Sequence, residues 1–129
     1  MIHDLTVPAV ASPRPDGHAQ FGTLTERDAK KERAVLSAKY PFGDHGKSII
    51  HGSTHGFVKL VVDEKTREIL GGSCVGPDAA ELIHEIAVAM YFKASAGDLA
   101  KIPHYHPTLS EIWTYPAEEL ADMVNLMPP

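Results

Sequence analysis

The chain has 129 residues, 43% hydrophobic and 22% charged, which suits one soluble globular domain that buries roughly two thirds of its unfolded surface. A net charge of −5 argues against nucleic acid, since phosphate binding needs clustered Lys and Arg, and the stretch from Arg27 to Arg33 is broken by Asp28 and Glu32. No apolar run approaches the roughly eighteen residues of a membrane span, the start lacks a signal-peptide pattern, and the lone Cys74 excludes an internal disulfide framework; a cytoplasmic setting is expected.

Along the chain, Pro8, Pro13, Pro15, Asp16 and Gly17 predict an extended start with at most one short edge strand. "TERDAKKERAVL" opens on Thr25 as an N-cap with acidic residues in its first turn, which predicts a short helix. "AKYPFGDHGKSIIHGSTHG" is broken by Pro41 and several glycines, so at most two short strands are expected there. "GFVKLVVDEKTREILGGSCVG" is two β-rich runs around a polar connection, an antiparallel hairpin. Val58, Leu60 and Val62 share one face of its first strand, and Phe57 and Val61 flank Lys59 on the other. Gly71 and Gly72 predict a bulge or the close approach of another backbone.

"PDAAELIHEIAVAMYFKA" predicts the clearest helix, capped by Asp78 and Glu81, with Ile83, Ile86, Ala87 and Met90 on its apolar stripe and His84 and Glu85 off it. "SAGDLAKI" predicts a short capped turn or helix, and a last helical stretch runs from about Thr108 to Asn125, interrupted or kinked near Pro116. Strands followed by helices give an α+β fold, an antiparallel sheet with helices packed on one face, in a single domain.

The chemistry concentrates in "HYHPTLSEIW", where three readings stand open. His106 and Glu111, five residues apart, can form an acid–base pair, the carboxylate fixing the imidazole tautomer. His104 and His106 can share one face and bind a metal with Glu111. "TLSE" is also a capping box, Thr108 as N-cap and Glu111 at N3, which would leave His106 idle. The metal reading resembles the cupin string H-x-H-x(3,4)-E, yet cupins are all-β, this neighbourhood reads helical, and Glu118 stands where cupins have glycine. His51 and His55 span a turn and read as solvated surface, and Cys74 reads as a buried structural thiol. No Gly-rich phosphate loop is present, and "GDHGKS" has only the ending of one.

Block order narrows these readings. "GFVKLVVDEKTREILGGSCVGPDAAELIHEIAVAM" followed by "DLAKIPHYHPTLSE" resembles the C-terminal dimerisation domain of pyridine nucleotide–disulfide oxidoreductases, the family of dihydrolipoamide dehydrogenase and glutathione reductase, over about Leu24 to Ala121. The resemblance implies a dimerisation domain over residues 24–129 after an extended segment over 1–23. It implies a homodimer in which His106, with Glu111 as its carboxylate partner, is the catalytic acid–base residue given to the other subunit's disulfide. It also implies a cis peptide at His106–Pro107 and a supporting role for His104. FAD, NAD(P) and the redox disulfide are expected in other domains of a parent reductase, so that this chain holds half an active site and no cofactor of its own. Three features depart from the family pattern: "ASPRPDGHAQFG" replaces the usual first strand, Pro116 falls in the late helix, and the paired terminal cysteines of mercuric-reductase-like enzymes are missing. The alternatives are a non-catalytic scaffold of the same fold and a small metal-binding protein.

Overall fold

The computed structural model describes residues 10–12, 18–22, 34–52, 54–76 and 78–126. Among them are five strands, β1 (Val10–Ser12), β2 (His18–Gly22), β3 (Val35–Pro41), β4 (Phe57–Asp63) and β5 (Ile69–Val75), in one antiparallel sheet of order β1-β2-β5-β4-β3. The helices are α1 (Gly46–His51), α2 (Ala79–Leu82), α3 (His84–Tyr91), α4 (Ala96–Lys101) and α5 (Thr114–Leu126), with 3-10 turns at Phe42–Asp44 and Ser110–Trp113. No described helix is long and apolar enough to cross a membrane.

The predicted hairpin is the centre of the sheet. Period-2 alternation puts Val58, Leu60 and Val62 on one face, all fully buried, while on the other face Val61 is buried and Phe57 and Lys59 are half-buried. Asp63 Oδ1 accepts from the backbone of Lys65 and Thr66 at 2.8 and 2.9 Å, which closes the turn. The register shifts where Val61 faces Gly71 and Val62 faces Ile69, leaving Leu70 as the bulged residue. Of the two alternatives expected for the glycine pair, the bulge is found and adjoins Gly71, while what approaches Gly72 is a side chain rather than a backbone: a Cβ there would lie 3.0 Å from Ile86. A missing side chain there lets α3 lie directly on the sheet. Gly56, at φ +94, meets Val75 so closely that any side chain would overlap its carbonyl.

The core lies between the Val58–Leu60–Val62 face and the helices, and it includes Ala38, Cys74, Ile86, Leu99, Ile112, Trp113, Ala117 and Leu120. Trp113 is wholly buried, and its indole N–H donates to the Leu82 carbonyl at 2.9 Å. That bond ties the Ser110–Trp113 turn to α2.

Several expectations are corrected. The start contributes two short strands rather than at most one. The helix expected from Thr25 falls largely on residues 23–33, outside the described residues, and Val35 and Leu36 at its end lie in β3. Where only strands were expected after Pro41, α1 forms. Gly52 ends it in the left-handed region at φ 73, and its N–H donates back to Ile49 O at 3.1 Å, so this glycine closes a helix rather than preventing one. The long helix is divided at Ile83 into α2 and α3, and Asp78 makes no side-chain cap because it sits at φ 62, away from the extended geometry of an N-cap. Ala89 is buried where Ala87 was expected to be. Pro116 breaks nothing: it is buried in the first turn of α5, where its missing N–H has no intrahelical partner to lose.

Candidate functional site

The HPT loop is fastened at both ends by local chemistry. Ser95 starts α4 with a capping box: its Oγ accepts from Asp98 N at 3.1 Å, and Asp98 Oδ2 accepts from Ser95 N at 3.0 Å. Those bonds hold the Asp98 carboxyl below its usual value. The helix stops because Ile102 precedes Pro103 and takes an extended conformation. At the far end, Ile112 and Trp113 are fully buried and fix the Ser110–Trp113 turn, leaving Glu111 beside them facing the loop.

His106 and Glu111 are brought together. His106 Nδ1 lies 2.8 Å from Oε1 and 3.1 Å from Oε2 of Glu111. The imidazole is 80% exposed while the carboxylate is only 19% exposed. The peptide bond between His106 and Pro107 is cis. Nδ1–H donating to a carboxylate leaves Nε2 as the basic nitrogen, and among the described residues Nε2 has no protein partner.

Glu111 also accepts from Thr108 N–H at 2.9 Å, the backbone half of the expected capping box. The Thr108 hydroxyl is turned to Ser110 Oγ at 3.1 Å and caps nothing. The capping and pairing readings therefore coexist in one carboxylate. The Thr108 N–H is the largest influence holding Glu111 below its ordinary value, against partial burial, with His106 and then His45 adding to it.

His104 points the opposite way. Its side chain is 7% exposed, its Nδ1–H donates to Ile102 O at 2.8 Å, and Nε2 lies 2.5 Å from Glu85 Oε2. Burial is the largest influence on the ring and opposes its charged form, but the Glu85 hydrogen bond and charge outweigh it and raise the histidine. Burial raises Glu85 in turn. Both directions say that one proton stays between the two. With both ring nitrogens occupied, His104 does not join His106 and Glu111 as a ligand set, and no group of three metal-binding side chains occurs among the described residues. His51 ends α1, both His51 and His55 are exposed, and neither enters such a group. Cys74 is buried in β5 with its thiol pushed up to about 12 by desolvation, then by Asp78, which makes it a poor nucleophile.

Two neighbours had no sequence signal. Glu85 is nineteen positions from His104, and only its place off the apolar stripe of α3 marked it. His45 is 2% exposed, lies edge-on to Tyr115, and donates to or accepts from Ser48 Oγ at 2.9 Å. Burial lowers it, with the Glu111 charge opposing. Tyr115 stacks in turn on Tyr40 at 4.2 Å. Beside the loop, Val88, Tyr91, Phe92, Ile102 and Tyr105 leave apolar surface in solvent.

Comparison with known proteins places the domain in a family. The family profile described as pyridine nucleotide-disulphide oxidoreductase, dimerisation domain, matches residues 18–117. Dihydrolipoyl dehydrogenase 3 of Pseudomonas putida is 41% identical over 105 residues, covering 81% of this chain and 22% of that protein. Dihydrolipoyl dehydrogenase of Mycobacterium bovis is 47% identical over 94 residues, covering 72% of this chain and 20% of that protein. The crystal structure of LpdA from Mycobacterium tuberculosis superposes with a TM-score of 0.81 at 27% identity, over 88% of this chain and 25% of that one. The chain thus spans about a fifth of the length of these curated relatives. It belongs to the dimerisation-domain family of the pyridine nucleotide–disulfide oxidoreductases, of the dihydrolipoamide dehydrogenase-like type.

Proposed function

We propose that this domain pairs with a second copy and supplies His106, with Glu111 as its partner, as the acid–base group for disulfide chemistry in the facing subunit. The observation that carries this is the orientation of one ring: Nδ1 is held by a carboxylate while Nε2 faces outward on an exposed loop. Thiolate is the nucleophile in thiol–disulfide exchange, so a neighbouring base that takes the thiol proton raises its population. Nε2 accepts that proton, and the resulting imidazolium, balanced by Glu111, stabilises the thiolate. In the reverse direction Nε2–H returns the proton to the leaving sulfur. A positioned acid–base group of this kind contributes about 10²–10⁴-fold in rate.

The residues of this chain do not fit a resident dinucleotide or a redox disulfide. The sequence has no Gly-rich phosphate turn, and its lone cysteine is buried. FAD, NAD(P) and the dithiol pair would come from other domains of the parent reductase, the flavin passing electrons between nicotinamide and disulfide. The exposed apolar side chains around Tyr91, Phe92 and Tyr105 support pairing with a second copy, since apolar surface of this kind marks interaction sites. An obligate interface commonly buries about 2,000–5,000 Å².

The test is a chimera in which this domain replaces the corresponding last part of the Pseudomonas putida relative, assayed for NADH-dependent lipoamide reduction. Turnover that falls by about 10²–10⁴-fold in His106→Gln supports the proposal. Equal turnover with and without the imidazole sinks it and leaves the non-catalytic scaffold.

A further inference from the structure

Of residues 102–107, His104 alone is not exposed. The loop that carries His106 therefore reaches back into the domain through a single side chain. That side chain meets α3 at Glu85, an element separate in sequence from the Ser110–Trp113 turn that carries Glu111. The protonation of the contact follows from its acceptors. A carbonyl oxygen has no proton to give, so Nδ1 must carry the hydrogen that it shares with Ile102 O at 2.8 Å. Between Nε2 and Glu85 Oε2, at 2.5 Å, one proton has to lie on one side or the other. Remove it, and a lone pair faces a carboxylate with no water to separate them.

We propose that Glu85 is a positioning residue for His106: by holding His104 against α3 it fixes the path of residues 102–107 and so the direction in which the His106 ring presents Nε2. The inference rests on the acid–base reading of His106 given above. Glu111 selects the tautomer only while the ring stays within its reach, because it binds through Nδ1 and leaves the backbone before the ring untethered. Glu85 supplies the second fixed point. The loop is thus held to α3 upstream of the ring and to the Glu111 turn downstream of it, and His106 lies between the two attachments. Misplacing a reacting group by about 1 Å can cost about 10²-fold in rate, so orientation at this distance from the chemistry has kinetic weight.

The test uses the full chain and imidazole-nitrogen NMR, which reads the tautomer of each histidine, together with backbone relaxation of Tyr105 and His106. In the unsubstituted protein His106 is expected to be protonated at Nδ1 when neutral, with both loop amides as ordered as those of β4. Glu85→Leu, which suits the apolar surroundings of Val88, Ala89 and Phe92, should mix the two His106 tautomers and loosen both amides while the sheet amides stay unchanged. Glu85→Gln should restore both, because its amide can donate to Nε2 of a neutral His104. His104→Leu removes the anchor from the loop side and must reproduce the effect of Glu85→Leu; it decides the question if that variant does not fold. If both leucine variants leave the tautomer and the relaxation of His106 as they were, the positioning role is overturned and the acid–base reading stands. If Glu111→Gln leaves the His106 tautomer unchanged while Glu85→Leu loosens the loop, the anchor stands and the acid–base reading falls.

Discussion

Two imidazole–carboxylate pairs lie two residues apart in this chain, in opposite surroundings. His106 is 80% exposed and uses one nitrogen on Glu111, whereas His104 is 7% exposed and uses both, on Ile102 and Glu85. The same two functional groups are therefore committed to different ends. Exposure leaves a nitrogen able to take a proton from another molecule, and burial turns the pair into a fastening. The contrast teaches that an HxH string on an irregular loop does not define a shared ligand face; the backbone between the two rings reverses their directions.

The largest expected effects set the two pairs against each other. In the chimera, His106→Gln should lower turnover by about 10²–10⁴-fold, while stability in urea changes by less than about 0.5 kcal/mol, as expected of an exposed side chain. His104→Leu should do the reverse in the urea measurement, costing about 3 kcal/mol. That is the low end for breaking a buried pair, because Glu85 keeps a quarter of its exposure. A large stability loss at His106, or none at His104, would erase the distinction.

A smaller effect sharpens the comparison through pH, where the signs oppose. Glu111 is held below its ordinary value of 4.5, so its contribution is complete above that value and is lost as pH falls through the lower folded one. Against its own burial, His104 is raised above its ordinary 6.5 by Glu85, so its contribution is complete below 6.5 and is lost as pH rises through its elevated folded value. Glu85 is raised above 4.5 by burial, so its own contribution is complete only below 4.5 and fades in the same direction. The stability difference between the unsubstituted chain and Glu111→Gln should therefore shrink on acidification below 4.5. The difference from His104→Leu should shrink on the alkaline side. Urea midpoints across pH check both, and a common direction for the two would merge the pairs into one class.

Smallest of all is Ser95→Ala, which removes the cap of α4 and touches neither pair. It should cost about 1 kcal/mol in thermal or urea unfolding and leave the His106 NMR signals in place. A shift of those signals would mean that the helix start, rather than Glu85, directs the loop.

Much of the fold was legible where one periodicity dominated. The 57–75 hairpin, its bulge near Gly71, the buried face of Val58, Leu60 and Val62, and the Ser95 cap follow from alternation and local hydrogen-bonding chemistry. The His106–Glu111 pair was legible because five residues of chain and a proline bring them into reach. What failed were marks that carry two meanings. Gly52 reads as a breaker and acts as a helix end; Asp78 reads as a cap but lies in a left-handed turn, where its carboxylate cannot reach the helix. The Glu85–His104 contact had no local signature, since only packing of α3 on the sheet at Gly72 brings that glutamate beneath the loop.

One oxygen of Glu111 serves two masters, the amide of Thr108 and the ring of His106. A carboxylate so engaged cannot swivel to chase a wandering imidazole without stripping the peptide beside it of its acceptor. Any group that meets this ring must accept an aim chosen before its arrival, with the reorganisation already settled during folding.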